Sequence, residues 1–121
     1  MSSYCMVITT APNREIAEKL AEGILGNHLA ACVQMAEIRS FYIWEGTLQK
    51  EGEVALFIKT TEACYCNLEA YILERHPYDV PEIIKLPITG GLPAYLDWIE
   101  SITGIHRVKG DNSNTDEQEK L

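Results

Sequence analysis

Two patterns of apolar residues follow one another near the start of the chain. The first is a short run with β-branched residues, and the second repeats at helical spacing. Residues 4–10 are mostly apolar or β-branched, which predicts a first strand. From residue 14 the apolar side chains recur every three or four positions with charged residues between them, which predicts an amphipathic helix. Asn13 is the predicted N-cap of this helix, and Gly26 and Asn27 are its predicted C-terminal stop.

The middle of the chain predicts two strands joined by a hairpin. Residues 29–44 are too polar on every helical face to form an amphipathic helix, whereas their β-branched and aromatic content favours one long strand. Residues 45–47, with the sequence Glu-Gly-Thr, are typical of a hairpin turn. Residues 53–60 alternate between two faces and predict the third strand.

The second half predicts another helix, an edge strand and a terminal helix. Thr61 is the expected cap of the second helix, which ends before Pro77. Residues 82–88 predict a fourth strand, whose proline is better tolerated at an edge than in a central ladder. After the glycine pair at 90–91, Pro93 lies in the first turn of a third helix.

This order of elements, β-α-β-β-α-β followed by a helix, predicts an α+β fold of the ferredoxin-like (split βαβ) type with an extended hairpin. Both crossover helices are expected on one face of the sheet. We assign residues 1–104 to a single domain and residues 105–121 to a flexible polar tail. Residues 109–121 hold almost no apolar side chain that would offset the entropy of ordering them.

The hairpin carries large apolar side chains on both of its faces. Phe41 and Ile43 point to one side of the second strand, and Tyr42 and Trp44 point to the other. A single domain of this type covers only one face of its sheet, so several apolar side chains would be left in water. We therefore expect self-association through the sheet and the hairpin. The alternative is a monomer with several surface aromatics.

Composition and charge restrict the class of protein. The 121 residues, 46% of them hydrophobic, are enough for the core of one domain. Acidic residues outnumber basic ones by 18 to 10, and the formal charge of -8 argues against nucleic-acid and anionic membrane partners. No apolar run is long enough to cross a bilayer and no basic, cleavable leader opens the chain, so we predict a cytoplasmic protein.

The four cysteines lie in apolar stretches rather than at turns, which predicts reduced core thiols and not a secreted disulfide framework. They are Cys5, Cys32, Cys64 and Cys66. Cys64 and Cys66 are two positions apart on the second helix and face different ways, so they do not form a chelating pair. Further cysteines or histidines at zinc-binding spacing are missing.

His76 and Glu82 are the leading metal candidates. An imidazole and a carboxylate six residues apart, across a proline-rich turn, can bring nitrogen and oxygen donors together. The competing interpretation makes His76 a helix C-terminal residue whose charged form interacts with the helix dipole, and Glu82 a solvated residue at the start of a strand.

Enzyme motifs are missing from the chain, which contains no nucleophile elbow, zinc-protease helix, phosphate loop or dinucleotide fingerprint. A nucleophilic assembly of Cys32, His76 and Asp79 would require a proximity that no spacing indicates. We therefore predict a binding protein and not an enzyme.

Five separated segments of the chain form a recognisable set. They are LAACVQM (29–35), YIWEG (42–46), FIKTT (57–61), RHPYDVPEII (75–84) and YLDWI (95–99). In this order they resemble the CutA family of divalent-cation tolerance proteins, and the resemblance covers nearly everything from residue 4 to residue 103. It implies a ferredoxin-like subunit, similar to the PII signalling proteins, in a homotrimer whose sheets surround the three-fold axis.

The resemblance also implies a link to tolerance of copper and other divalent cations, and it brings no established reaction. The family's copper site resembles His76 and Glu82 joined by a cysteine of the first strand, but the matching position here is Thr9. Without that thiolate, the site is expected to hold Cu²⁺ or another divalent cation only weakly.

A second set of candidates is expected to line an intersubunit cleft of the trimer and to bind a small anionic ligand. The set consists of Lys59, Tyr42, Trp44, Tyr78, Tyr95 and Trp98. Lys59 would supply the positive charge and the aromatic side chains the walls. The competing interpretation places the aromatics in the interface core and makes Lys59 a charge that protects a strand edge.

Three functions follow from these observations. The first is a trimer that binds divalent cations weakly at a site with His76 and Glu82. The second is a PII-like sensor that binds a small anion through Lys59 and the nearby aromatics. The third is a structural or interaction protein without a ligand site.

Overall fold

The computed structural model describes the backbone of residues 3–112 and the side chains of residues 3–104. Its elements are β1 (Tyr4–Ala11), α1 (Arg14–Gly26), β2 (Cys32–Trp44), β3 (Thr47–Thr61), α2 (Tyr65–Arg75), β4 (Ile83–Ile88) and α3 (Pro93–Asn112). A 3₁₀ turn over Glu62–Cys64 leads into α2. Within the described residues, every helix is too short or too polar to cross a membrane.

The four strands form one antiparallel sheet in the order β2-β3-β1-β4. This is the strand order of the predicted ferredoxin-like fold, so the α+β assignment is confirmed. Because β1 and β3 are the central strands, residues at the end of β1 lie beside the base of the long β2-β3 hairpin. Thr10, for example, pairs with Ala55.

The core lies between α1, α2 and one face of the sheet. Strand register places Val7 opposite Ile58 and Ala11 opposite Val54, and all four side chains are buried on this face. The same buried cluster contains residues of both helices: Ala17, Leu20, Ile24, Leu68 and Ile72. Both helices therefore cover the same face, as the sequence predicts.

The opposite face of the sheet is only partly covered. Met6, Ile8 and Lys59 have the strand parity of this face, and the Lys59 ammonium lies 5.6 Å from the ring centroid of Tyr95 on α3. Ile84 and Leu86 of β4 remain 48% and 40% exposed. The described part of α3 therefore leaves apolar sheet surface open.

The caps and turns of α1 and the hairpin agree with the sequence prediction. The Asn13 side chain accepts a hydrogen bond from the Ile16 amide at 2.9 Å, and the Asn27 side chain donates to the Gly23 carbonyl at 2.8 Å. Glu45 and Gly46 have φ angles of 51° and 78°, which is the signature of a two-residue type I′ turn.

Three features of the structure differ from the prediction. β3 begins at Thr47 and not at residue 53, because the segment after the turn pairs with β2 along its whole length. Thr61 makes no side-chain cap, since the 3₁₀ turn intervenes before α2. All four thiols are free, and Cys5 and Cys64 are buried as predicted. Cys32 is only half-buried, and Cys66 is exposed because it lies on the outer side of α2.

The third helix continues beyond residue 104, the predicted domain boundary, and is described as far as Asn112. Residues 113–121 of the predicted tail lie outside the described residues. The flexible tail therefore stays a prediction.

Candidate functional site

An acidic pocket lies between the β2-β3 hairpin and the loop from α2 to β4. Its volume is about 380 Å³. It is lined by Thr10, Tyr42, Trp44, Glu51, Glu53, Tyr78, Asp79, Val80 and Glu82. These described residues include four carboxylates and no basic side chain, so the pocket carries concentrated negative charge.

Strand register places the hairpin part of the pocket on the sheet face opposite α1 and α2. Ser40 pairs with Glu51, and Glu53 follows Glu51 on the same face of β3. Thr10 belongs to that face as well, because it pairs with Ala55 between the buried positions 54 and 56. The α2-β4 loop supplies the remaining carboxylates, Asp79 and Glu82.

Hydroxyl groups hold two of the carboxylates in place. The Ser40 hydroxyl donates to one oxygen of Glu53 at 2.6 Å, and the Tyr78 phenol donates to the other at 3.0 Å. The Tyr42 phenol donates to Glu51 at 2.7 Å. Three donors therefore orient two carboxylates toward the same space.

The phenols in this pocket keep their protons well above neutral pH. Burial, followed by the hydrogen bond to Glu53, raises the pKa of Tyr78 to about 12. The hydrogen bond to Glu51 is the main cause that raises the pKa of Tyr42 above its ordinary value. Both groups are therefore hydrogen-bond donors, and not anionic ligands, near pH 7.

His76 lies behind the pocket, where it is 9% exposed. Its Nε2 is 2.6 Å from the Thr10 carbonyl oxygen, and its Nδ1 is 3.1 Å from the Tyr78 amide nitrogen. The carbonyl requires a donor and the amide requires an acceptor, so the imidazole is neutral with its proton on Nε2. Neither ring nitrogen has a lone pair left for a metal ion in this arrangement.

The three predicted metal positions do not converge. Glu82 is exposed and lines the acidic pocket. Thr9 is fully buried, and its hydroxyl has no hydrogen-bond partner among the residues that the structure describes. Because Thr9 pairs with Leu56, it belongs to the core face and not to the face of Thr10. Among the described residues, no group of three or more His, Cys, Asp or Glu side chains has the geometry of a metal centre.

The six predicted cleft residues fall into two groups within one chain. Tyr42, Trp44 and Tyr78 line the acidic pocket. Lys59 lies near Tyr95, whose ring centroid is 5.5 Å from that of Trp98. The single chain therefore does not place Lys59 beside the three aromatics of the pocket.

Glu51, Glu53 and Asp79 are pocket residues that sequence reasoning missed. The signal for Glu51 and Glu53 was present, because their spacing of two places them on one strand face. It was lost because the third strand was expected to begin only at residue 53. Asp79 lies in a loop, and no periodic pattern indicates the direction of a loop side chain.

Comparison with known proteins gives a consistent set of relatives. A family model described as "CutA1 divalent ion tolerance protein" matches residues 5–102. The chain is 46% identical over 99 residues to "Protein CutA, chloroplastic" of Arabidopsis thaliana, which covers 81% of this chain and 54% of the relative. It is 38% identical over 100 residues to "Divalent-cation tolerance protein CutA" of Thermus thermophilus, with 82% and 97% of the two chains covered.

Solved structures agree with these matches. A periplasmic divalent cation tolerance protein CutA from Archaeoglobus fulgidus superimposes with a TM-score of 0.82 at 35% identity, covering 83% of this chain and 98% of that one. CutA1 from Oryza sativa also has a TM-score of 0.82, at 42% identity, with 84% and 94% covered.

The predicted cytoplasmic location is wrong. Relatives are named chloroplastic in two plants, and a matched structure is titled periplasmic. The prediction relied on the start of the chain, yet the chain spans about half the length of the plant relatives, 54% and 56%. The first residues therefore carry no information about location.

Proposed function

The chain belongs to the CutA1 divalent ion tolerance family, and from that premise we propose that it binds divalent cations weakly in the acidic pocket, without catalysing a reaction. The family's description names tolerance of divalent ions and no reaction.

The observation that carries the proposal is that four carboxylates line one pocket without a basic lining residue in the described chain. The described carboxylates do not form a ready-made metal centre, so a bound ion would be held partly through water. Carboxylate oxygens are the ligands that Mg²⁺, Ca²⁺ and Mn²⁺ prefer, and Cu²⁺ binds most nitrogen and oxygen sets more tightly than Mn²⁺ does. A cation in the pocket would also relieve the mutual repulsion of the carboxylates.

Weak binding follows from the exposure of the pocket and from its ligand types. Asp79 and Glu82 are exposed, so a bound ion would keep much of its water. The imidazole of His76 is engaged by Thr10 and Tyr78, and Thr9 faces the core. The proposed site therefore uses hard oxygen ligands, with His76 holding the loop that supplies two of them.

Calorimetric titration with Mn²⁺ and Cu²⁺ tests this site. We expect the double variant Asp79→Asn with Glu82→Gln to bind about tenfold more weakly than the wild type, a loss of about 1.4 kcal/mol. The matched control is Glu22→Gln, which removes an exposed carboxylate from α1 and should leave binding unchanged. Equal affinities of the double variant and the wild type would contradict the proposed site.

The same titrations separate the alternative functions. A PII-like sensor would instead give heat with a small anion such as phosphate, and that heat would be lost in Lys59→Gln, which removes the ammonium beside Tyr95. The absence of heat with either cations or phosphate would favour a structural or interaction protein.

We also propose that the working unit is a homotrimer that associates through the sheet and the hairpin. The support is the apolar surface on both faces of these elements, including Phe41 and Ile43, which are 62% and 67% exposed in the single chain. Such surface is unusual in a monomer of this size.

A further inference from the structure

A second pocket lies on the helical layer, between α1 and the end of α2. Its volume is about 340 Å³. It is lined by Ile16, Lys19, Leu20, Tyr71, Arg75 and Pro77. In contrast to the acidic pocket, its described lining residues comprise two cations, four apolar or aromatic side chains and no carboxylate. This charge is unusual in a chain with a formal charge of -8.

The wall of this helical pocket is fixed by a glycine inside α1. A Cβ atom at Gly23 would collide with the Tyr71 hydroxyl and would lie 2.8 Å from its Cζ. Glycine within a helix costs about 1 kcal/mol relative to alanine, so its presence needs a compensating contact. At Gly23 the absence of a side chain leaves room for the Tyr71 phenol, so the aromatic ring lies close against α1.

The positioned ring in turn orients a guanidinium. The Cζ atom of Arg75 lies 3.9 Å from the centroid of the Tyr71 ring. Nη1 of Arg75 donates to Glu74 at 2.8 Å and approaches the Tyr71 carbonyl at 3.5 Å. The pair with Glu74 is solvent-exposed, with 49% and 75% of the side chains accessible, and exposed pairs of this kind are easily displaced.

From this arrangement we propose that the helical pocket binds a small organic carboxylate with an apolar body. Ile16, Leu20 and Pro77 supply the apolar surface, and Arg75 presents a planar fork that matches a carboxylate. Lys19 adds a second positive charge from α1. The volume is suited to a small molecule, since ligand pockets begin near 300 Å³.

Ligand-observed saturation-transfer NMR on the full chain tests the proposal, with phenylacetate as the probe and its neutral amide, phenylacetamide, as the matched ligand control. We expect saturable binding of phenylacetate and much weaker binding of the amide. Arg75→Gln and Lys19→Gln should each weaken phenylacetate binding by about fivefold, the size expected for one exposed charge contact. Both side chains are exposed, so neither substitution should prevent folding.

Two further variants locate the binding. Lys50→Gln removes an exposed cation from the hairpin and should leave phenylacetate binding unchanged. Glu82→Gln should also leave it unchanged, which separates this proposal from the cation site. No saturable binding of phenylacetate, equal binding of the amide, or equal losses in Arg75→Gln and Lys50→Gln would each overturn the proposal.

Discussion

The imidazole of His76 connects the loop between α2 and β4 to β1 through hydrogen bonds. Sequence reasoning offered two roles for it, a metal ligand and a charged helix terminus. The structure gives a third, because one ring nitrogen donates to the Thr10 carbonyl and the other accepts from the Tyr78 amide. Only the tertiary contact with β1 reveals this role, and residues 66 positions apart in sequence leave no pattern for it.

Replacing His76 tests whether these two hydrogen bonds stabilise the fold. We expect His76→Ala to lower the free energy of unfolding by about 1 to 3 kcal/mol, because a buried carbonyl and a partly buried amide lose their partners. Urea denaturation measures the change, with Glu74→Ala as the exposed neighbouring control, which should change stability by less than about 0.5 kcal/mol. Unchanged stability combined with complete loss of Cu²⁺ binding would instead identify His76 as a metal ligand.

The Tyr78 phenol makes stability depend on pH at the alkaline end. Its folded pKa of about 12 lies above the ordinary value of 10.0, so the folded state holds this proton more tightly than the unfolded state. The resulting stabilisation is complete below pH 10 and is lost as the pH rises through about 12. We expect Tyr78→Phe to remove the highest step of a tyrosinate absorbance titration.

The cause of that high pKa can be tested separately. Burial is its largest cause and the hydrogen bond to Glu53 the next, so Glu53→Gln should lower the Tyr78 titration step without returning it to the ordinary value. A titration curve that is the same in Tyr78→Phe and the wild type would show that another tyrosine is responsible for the step.

The helices and strands were predictable where the signal is local. α1 has a side-chain cap at each end, supplied by Asn13 and Asn27, and the turn at Glu45 and Gly46 needs two residues with positive φ. These features depend on residues a few positions apart. The sequence therefore predicts the order of elements and the ferredoxin-like fold.

Long-range pairing explains what the sequence did not predict. Residues 47–52 are polar apart from Leu48 and contain Gly52, so they resemble a loop, yet they pair with β2 from Trp44 back to Arg39. The acidic pocket depends on that pairing, because it places Glu51 beside Ser40 and near Tyr42. The sequence therefore predicted only part of the candidate site, namely Glu82 and the aromatic residues of the pocket. Glu51 and Glu53 became evident only from the strand pairing.

The whole molecule combines a covered sheet face with an incompletely covered one. One face is sealed by α1 and α2, while the hairpin extends beyond the helices and exposes large side chains. On one face of the hairpin Trp44 is 50% exposed. On the other face Leu48, which pairs with Ile43, is 53% exposed. Burial of aromatic side chains is a strong driving force, since each carries about 150 to 250 Å² of surface. Association of copies would remove this surface from water.

Multi-angle light scattering tests the assembly directly. We expect a mass of three times the 13.6 kDa of one chain at micromolar concentration. Ile43→Asp should reduce that mass, because it places a charge on the apolar hairpin surface that the trimer would bury. Leu73→Asp is the matched control, since Leu73 is 54% exposed on α2, away from the proposed interface, and its substitution should leave the mass unchanged. A wild-type mass of one chain would disprove association. An equal loss of mass in Ile43→Asp and Leu73→Asp would show that the hairpin surface is not the specific interface.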